Sequence, residues 1–313
     1  LGGSIDSPTF ITAGQFPTPA SAILSESDED IKTVAETVKN LHKEAKITTD
    51  KVVTALPESQ IFTRVVEMPQ LSEQEIKSAI EYEAEQYVPI PLSEVRLTWS
   101  ILSTRVGPDK KPKVDILLVA APNNLINKYL RILKEAGLSA VSLETETTAV
   151  VRSLVQRVEG APPTLIISIG ASTTDLTIVD NTQINFTRSI ATGGMALARG
   201  IANDLGFETD QAVEYMKTYG LDSTQLEGKV MQALKPIFDV IVNEVRRALA
   251  YYSGKHPEKP VKRVVLAGGT AKLPGMVIYL AEALGLEVQM GNPWDGIGLP
   301  PNISKKLIEE GTS

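Results

Sequence analysis

Apolar positions along the chain keep two different periods. Ile31, Val34, Val38 and Leu41 recur every three to four residues, which predicts a helix over 28–46. A strand-like piece at 9–13 and an extended Phe16-Pro-Thr-Pro19 precede it, and strands follow at 51–56 and 61–68. Ser72 and Glu75 have capping-box spacing, and Ile76, Ala79, Ile80, Ala84 and Tyr87 then share one face, so 72–87 reads as a helix that Pro89 and Pro91 stop. Strands at 95–102 and 113–121 flank a polar loop at 105–112 that suits a hairpin tip, and a helix over 125–136 is capped by Asn123 or Asn124 and ended by Gly137. The second half reads as strand 140–143, helix 147–157, strands 164–169, 176–179 and 184–190, helices 194–205, 209–219 and 226–252, strand 263–267 and helix 274–284. Strands and helices mixed in this way give α/β architecture. Residues 61–137 form a compact β-α-β-β-α unit inserted into a larger domain made of 1–60 and 138–313.

Composition narrows the function. The 313 residues carry 31 Lys+Arg against 38 Asp+Glu, a formal charge of −7, which argues against a dedicated nucleic-acid binder. No apolar run approaches the ~18 residues of a membrane span, and no secretory signal is visible. There are no cysteines and only two histidines, His42 and His256, which excludes thiolate chemistry and disfavours a His-rich metal site or a Ser-His-Asp triad. The expectation is a soluble, cytoplasmic chain.

Four segments could carry chemistry. Leu165 to Val179 is two apolar strands joined by a turn of small and hydroxyl residues, Gly170 to Thr174, with Ser168 before it. Turn N–H groups and the hydroxyls of Ser172, Thr173 and Thr174 can donate to phosphate oxygens, although an ordinary polar hairpin would read the same way. Gly268-Gly269 follows a strand and precedes a helix, without the spacing of a G-x-G-x-x-G or Walker loop. Gly193-Gly194 opens a helix, and Glu214 and Lys217 lie three apart on the next one, a spacing that also suits a plain surface ion pair. Glu146 stands at a strand–helix junction, where a carboxylate favours the helix dipole whatever else it does.

The order of these segments resembles the actin-like ATPase superfamily. Within it the stretch Thr63-Arg-Val-Val-Glu-Met-Pro69, then Leu71-Ser72-Glu73, then Ile80-Glu-Tyr-Glu-Ala-Glu-Gln-Tyr-Val-Pro-Ile-Pro91, is similar to the type IV pilus assembly PilM family, with Asn292-Pro-Trp294 near the end. The resemblance covers about 16 to 296. It implies a two-lobed, ribonuclease H-like fold with a small inserted subdomain. It also implies ATP with Mg²⁺ held by Gly170, Ser172, Thr173, Thr174, Gly193, Gly194, Glu214, Lys217, Gly268 and Gly269. Glu146 would be the catalytic candidate, and Ser168 would stand where the family's metal-facing Asp is usual. The implied partner is the cytoplasmic tail of PilN, met around Arg64, Val66, Met68, Ile76 and Ile80, with the pilus platform and motor proteins beyond it. That places the chain at the inner face of the bacterial inner membrane, touching membrane only through partners.

Two departures bear on hydrolysis. The family's first strand and Asp-x-Gly phosphate loop have no match before Thr9, either lost or trimmed away, and Ser168 carries no charge for Mg²⁺. Hydrolysis should suffer more than binding, because metal-borne charge supplies most of phosphoryl-transfer catalysis. Asp175 is offset enough to suggest a turn-capping role. The alternatives are an FtsA-like division protein or a nucleotide-free adaptor. The former would end in a basic amphipathic helix, whereas 301–313 is short and mixed in charge.

Overall fold

The computed structural model describes residues 1–3, 7–19, 23, 25–106, 111–155, 158, 160–301 and 303. The chain forms two compact units, Leu1–Ala149 with Gly296–Ile303, and Val150–Asp295.

In the first unit, β1 (Gly2–Gly3) and β2 (Pro8–Thr9) pair antiparallel. The Phe10 N–H donates to the Gly298 carbonyl at 2.9 Å and the Gly298 N–H to Pro8 at 2.8 Å, so the expected strand 9–13 is reduced to its first residue. Helix α1 (Asp28–Glu44) is capped by Ser27, whose Oγ accepts from the Asp30 N–H at 3.2 Å. Then come β3 (Lys51–Leu56), β4 (Phe62–Pro69), α2 (Glu73–Tyr87), β5 (Val95–Val106), β6 (Pro112–Pro122), α3 (Asn123–Glu135), β7 (Ser139–Thr145) and the first turn of α4 (Glu146–Leu154), which continues past Ala149 as the start of the second unit. β3 pairs parallel with β7. β4, β6 and β5 make an antiparallel sheet in that order, with Val66 opposite Ile116 and Trp99 opposite Leu118.

α2 covers one face of that sheet, and Ile76, Ile80 and Ala84 interlock there with Val66, Met68 and Ile116. On the other face Arg105 bridges Glu67 and Asp115, its Nε 2.9 Å from the Asp115 carboxylate, and Lys113 reaches Glu67 at 2.6 Å. These ties hold the two long strands beside the expected hairpin tip, of which 107–110 lie outside the described residues. The helix expected to close the insertion packs two ways: Leu125 of α3 meets Ile61 and Ala121 of the inserted layer, while Ile132 and Ala136 sit against Ile31, Val34 and Ala35 of α1.

The second unit contains β8 (Thr164–Ile169), β9 (Thr174–Asp180), β10 (Gln183–Ile190), α5 (Gly194–Leu205), α6 (Thr209–Tyr219), α7 (Lys229–Lys255), β11 (Arg263–Ala267), α8 (Met276–Leu284) and β12 (Glu287–Met290). The sheet order is β10-β9-β8-β11-β12. β8, β11 and β12 run parallel, and the first three strands form an antiparallel meander. Leu165, Ile167, Ile169, Leu176 and Ile178 face α5 and α7, where Leu197, Phe238 and Ile241 are wholly buried. The helix expected from 226 starts at Lys229, because Gly228 (φ 72°) is left-handed and a 3₁₀ turn, Leu226–Gly228, precedes it. β12 is an unexpected strand, four residues long and half polar (Glu287 and Gln289), too short for its pattern to show.

Candidate functional site

The strongest motif of the sequence folds as expected. β8 and β9 form a hairpin with Ser168 opposite Asp175 and Ile169 opposite Thr174, closed by a hydrogen bond from the Gly170 N–H to the Thr173 carbonyl at 2.9 Å. Two further segments are laced onto this turn. The Gly170 carbonyl accepts both the Gly194 N–H and the Thr270 hydroxyl, each at 2.9 Å. The Met195 N–H donates to Ala171 at 2.8 Å, and the Thr174 hydroxyl donates to the Thr192 carbonyl at 2.7 Å. The first N–H groups of α5 are therefore already committed to the loop. The hydroxyls of Ser172 and Thr173 and the open face of the turn are what the loop offers an anion.

The four glycines of the neighbouring segments divide by what a side chain would meet. A Cβ on Gly193 would lie 2.7 Å from the Gly170 oxygen, one on Gly194 2.6 Å from the Thr270 hydroxyl, and one on Gly268 (φ +85°) 2.4 Å from the Ile169 oxygen. Those three are glycine because the segments pack backbone to backbone. Gly269 is exposed and a Cβ there meets nothing within 4 Å, so its missing side chain leaves free space beside the loop. The end of α6 is tied to the same region by the Leu221 N–H, which donates to the Pro274 carbonyl at 2.7 Å. On α6, Glu214 and Lys217 face each other at 3.4 Å, 72% and 63% exposed, a pair of little energetic weight by itself.

Ser168, Asp175 and Ser189 form a row across β8, β9 and β10. Burial pushes the Asp175 carboxyl above its ordinary range, partly offset by the neighbouring Ser189 and Thr173 hydroxyls, and neither its Oδ1 nor the Ser189 hydroxyl has a hydrogen-bond partner. Among the described residues there is no group of three or more His, Cys, Asp or Glu that could hold a metal ion. Ser168 therefore has no carboxylate cluster beside it, and these residues do not fit a protein-held Mg²⁺.

Other expected residues fall elsewhere. Glu146 is the first residue of α4, in the first unit, near Tyr129, whose phenol is raised by burial and by that carboxylate. The proposed contact residues Val66, Met68, Ile76 and Ile80 are 1–6% exposed, so they pack the inserted layer and offer a partner no surface. Of that set only Arg64 is exposed, and its guanidinium sits 3.7 Å above the Tyr87 ring. The first unit does contain a cavity of about 590 Å³, where apolar Phe62, Ile90 and Leu125 meet Glu26 and Glu94. Sequence reasoning passed over Thr270 as a site residue. A hydroxyl directly after the glycine pair was the available signal.

Comparisons with known proteins bear on the fold and the family. A family model described as type IV pilus assembly protein PilM matches residues 12–313. A solved structure described as a PilM-PilN type IV pilus biogenesis complex superposes with a TM-score of 0.81 at 26% identity, over 95% of this chain and 86% of that one. The nucleotide-bound MreB 5 of Spiroplasma citri shares the fold alone, with a TM-score of 0.53 and 15% identity over 95% of this chain and 80% of that one. The cell division protein FtsA of Streptococcus pneumoniae serotype 2 (strain D39 / NCTC 7466) is 25% identical over 196 residues, 56% of this chain, which spans only 42% of its length. The fold is that of the actin-like ATPases, and the chain belongs to the type IV pilus assembly protein PilM family.

Proposed function

We propose that this chain is an ATP-binding scaffold of type IV pilus assembly that binds the cytoplasmic tail of PilN. The carrying observation is the laced loop of the second unit, with free space left beside it at Gly269. Mg²⁺ would arrive on the nucleotide phosphates, since the described residues supply no carboxylate cluster for it. Turnover is accordingly expected to be slow or nil. The PilN tail fits the cavity at Phe62, Ile90 and Leu125 better than the buried positions read from sequence, and Glu26 and Glu94 there, offset in part by Lys128, favour a basic side chain beside an apolar one. In this reading the chain serves at the inner face of the inner membrane, beside the platform and motor proteins. No helix among its described residues is long and apolar enough to cross a membrane.

Calorimetric titration of ATP with Mg²⁺ tests the first part. A hundredfold excess over the dissociation constant stabilises a fold by about 2.7 kcal/mol, visible as a raised melting temperature. No heat and no shift would leave a nucleotide-free adaptor. For the second part, a PilN-tail peptide should bind the wild type and lose affinity about tenfold for Glu94→Lys. Undiminished binding would remove the cavity from the reading.

A further inference from the structure

One face of the second unit carries features that neither the nucleotide site nor the PilN cavity uses. Along α7, Val240, Glu244, Arg247, Tyr251 and Lys255 follow one another at intervals of four, three, four and four residues, a single stripe about 22 Å long. Val240 and Tyr251 are 49% and 45% exposed. Beside the stripe runs β10, the end strand of its sheet, which contributes Phe186 against Tyr251 (ring centroids 5.5 Å apart) and Arg188. Glu244 is largely covered, with Arg188 at 2.9 Å and Arg247 at 2.7 Å from its two oxygens. Its carboxylate hydrogen-bonds Arg247 and lies at ion-pair distance from Arg188, whose guanidinium groups stay 71% and 49% exposed. Lys255 adds a third cation, 4.8 Å from the Tyr251 ring. Three cations against one covered carboxylate leave this face positive on a chain whose net charge is −7.

We infer that this α7–β10 face is a docking surface for an acidic protein segment carrying an apolar or aromatic anchor. The charge is complementary, and two guanidinium forks gathered around Glu244 are suited to carboxylates, which they can grip bidentately. Val240 and the Phe186–Tyr251 pair supply the apolar contact that gives such surfaces their affinity. A lipid bilayer is the poorer occupant. Asp239, half exposed beside Val240, and the acidic remainder of the chain would face a broad anionic surface unfavourably, whereas a narrow segment meets only the stripe.

The test is selection of a random twelve-residue peptide library displayed on phage against the full chain. The Arg188→Glu/Arg247→Glu variant serves as counter-selection, with circular dichroism to verify its fold and Arg247→Gln/Tyr251→Ser as the milder alternative. The expected result is enrichment of peptides rich in Asp and Glu with an apolar residue. Synthesised, these should bind at least tenfold more weakly to the charge-reversed variant, and more weakly as sodium chloride rises. Three results would overturn the inference: no acidic enrichment, equal binding to both chains, or competition by phosphatidylglycerol vesicles that themselves bind the face more tightly. Concentration-dependent self-association in sedimentation velocity, abolished by the same variant, would assign the face to a second copy of the chain instead.

Discussion

Single side chains separate what holds the site together from what it offers a ligand. Gly268 and Gly269 are adjacent yet differ in kind. Gly268→Ala forces a Cβ onto a carbonyl at a positive φ and should cost more than about 1 kcal/mol in stability, read by urea unfolding. Gly269→Leu enters free space, so its melting temperature should stay near wild type while calorimetry shows nucleotide affinity gone. Asp175 gives a pH signature. A carboxyl raised by burial holds its proton more tightly folded than unfolded, so its contribution is greatest below the ordinary carboxylate range and is lost as pH rises above it. Asp175→Asn should therefore raise the melting temperature at neutral pH more than at about pH 4. A larger gain at the acidic end would contradict the desolvated environment. Tyr252 is 2% exposed and its hydroxyl has no hydrogen-bond partner, so Tyr252→Phe should stabilise by up to about 1–2 kcal/mol in the same unfolding assay.

At the scale of elements, the capping box of α2 is complete. Ser72 and Glu75 exchange backbone and side-chain hydrogen bonds at the helix start. Ser72→Ala should cost about 1 kcal/mol, measured as a shifted urea midpoint, since α2 is the lid of the inserted core. How legible elements were depended on length and punctuation. Helices α1, α2 and α5, with several turns of apolar period and clear stops, could be read to within a few residues. So could the β8–β9 hairpin, whose alternation breaks at a turn of small residues. β12 could not, because four residues hold only two periods and its strand state comes from pairing with β11. The kink before α7 was hidden because Gly228 is punctuation only when its backbone turns left-handed. Within the site, the loop and the glycine pairs were visible as motifs. Which of those glycines faces free space was not, since that depends on atoms a hundred residues away. The contact residues on β4 and α2 misled for a related reason. Apolar side chains at regular spacing identify a face, and only packing decides whether that face meets a partner or its own sheet.

For the whole molecule, the proposed nucleotide site is built within the second unit and the proposed peptide cavity within the first. If ATP and the PilN tail influence each other, linkage requires the same factor in both directions. The tail's affinity measured with and without saturating nucleotide must change by the factor that ATP's affinity changes with the tail. Unequal factors would show that one of the two titrations reports something other than binding.

The hydrogen bond from Thr270 to the Gly170 carbonyl spans 100 residues of sequence, and the pairing of β8 with β11 on which it rests joins residues 99 apart. A ribosome adding about 5–20 residues each second takes roughly 5–20 s to make that stretch. Throughout that interval β8, with its run of buried isoleucines, is without the parallel neighbour that later covers its edge. The nascent second unit is therefore exposed to mispairing for seconds, and the proposed nucleotide binding, which would need the loop that Thr270 helps to close, would be an early sign that it has closed correctly.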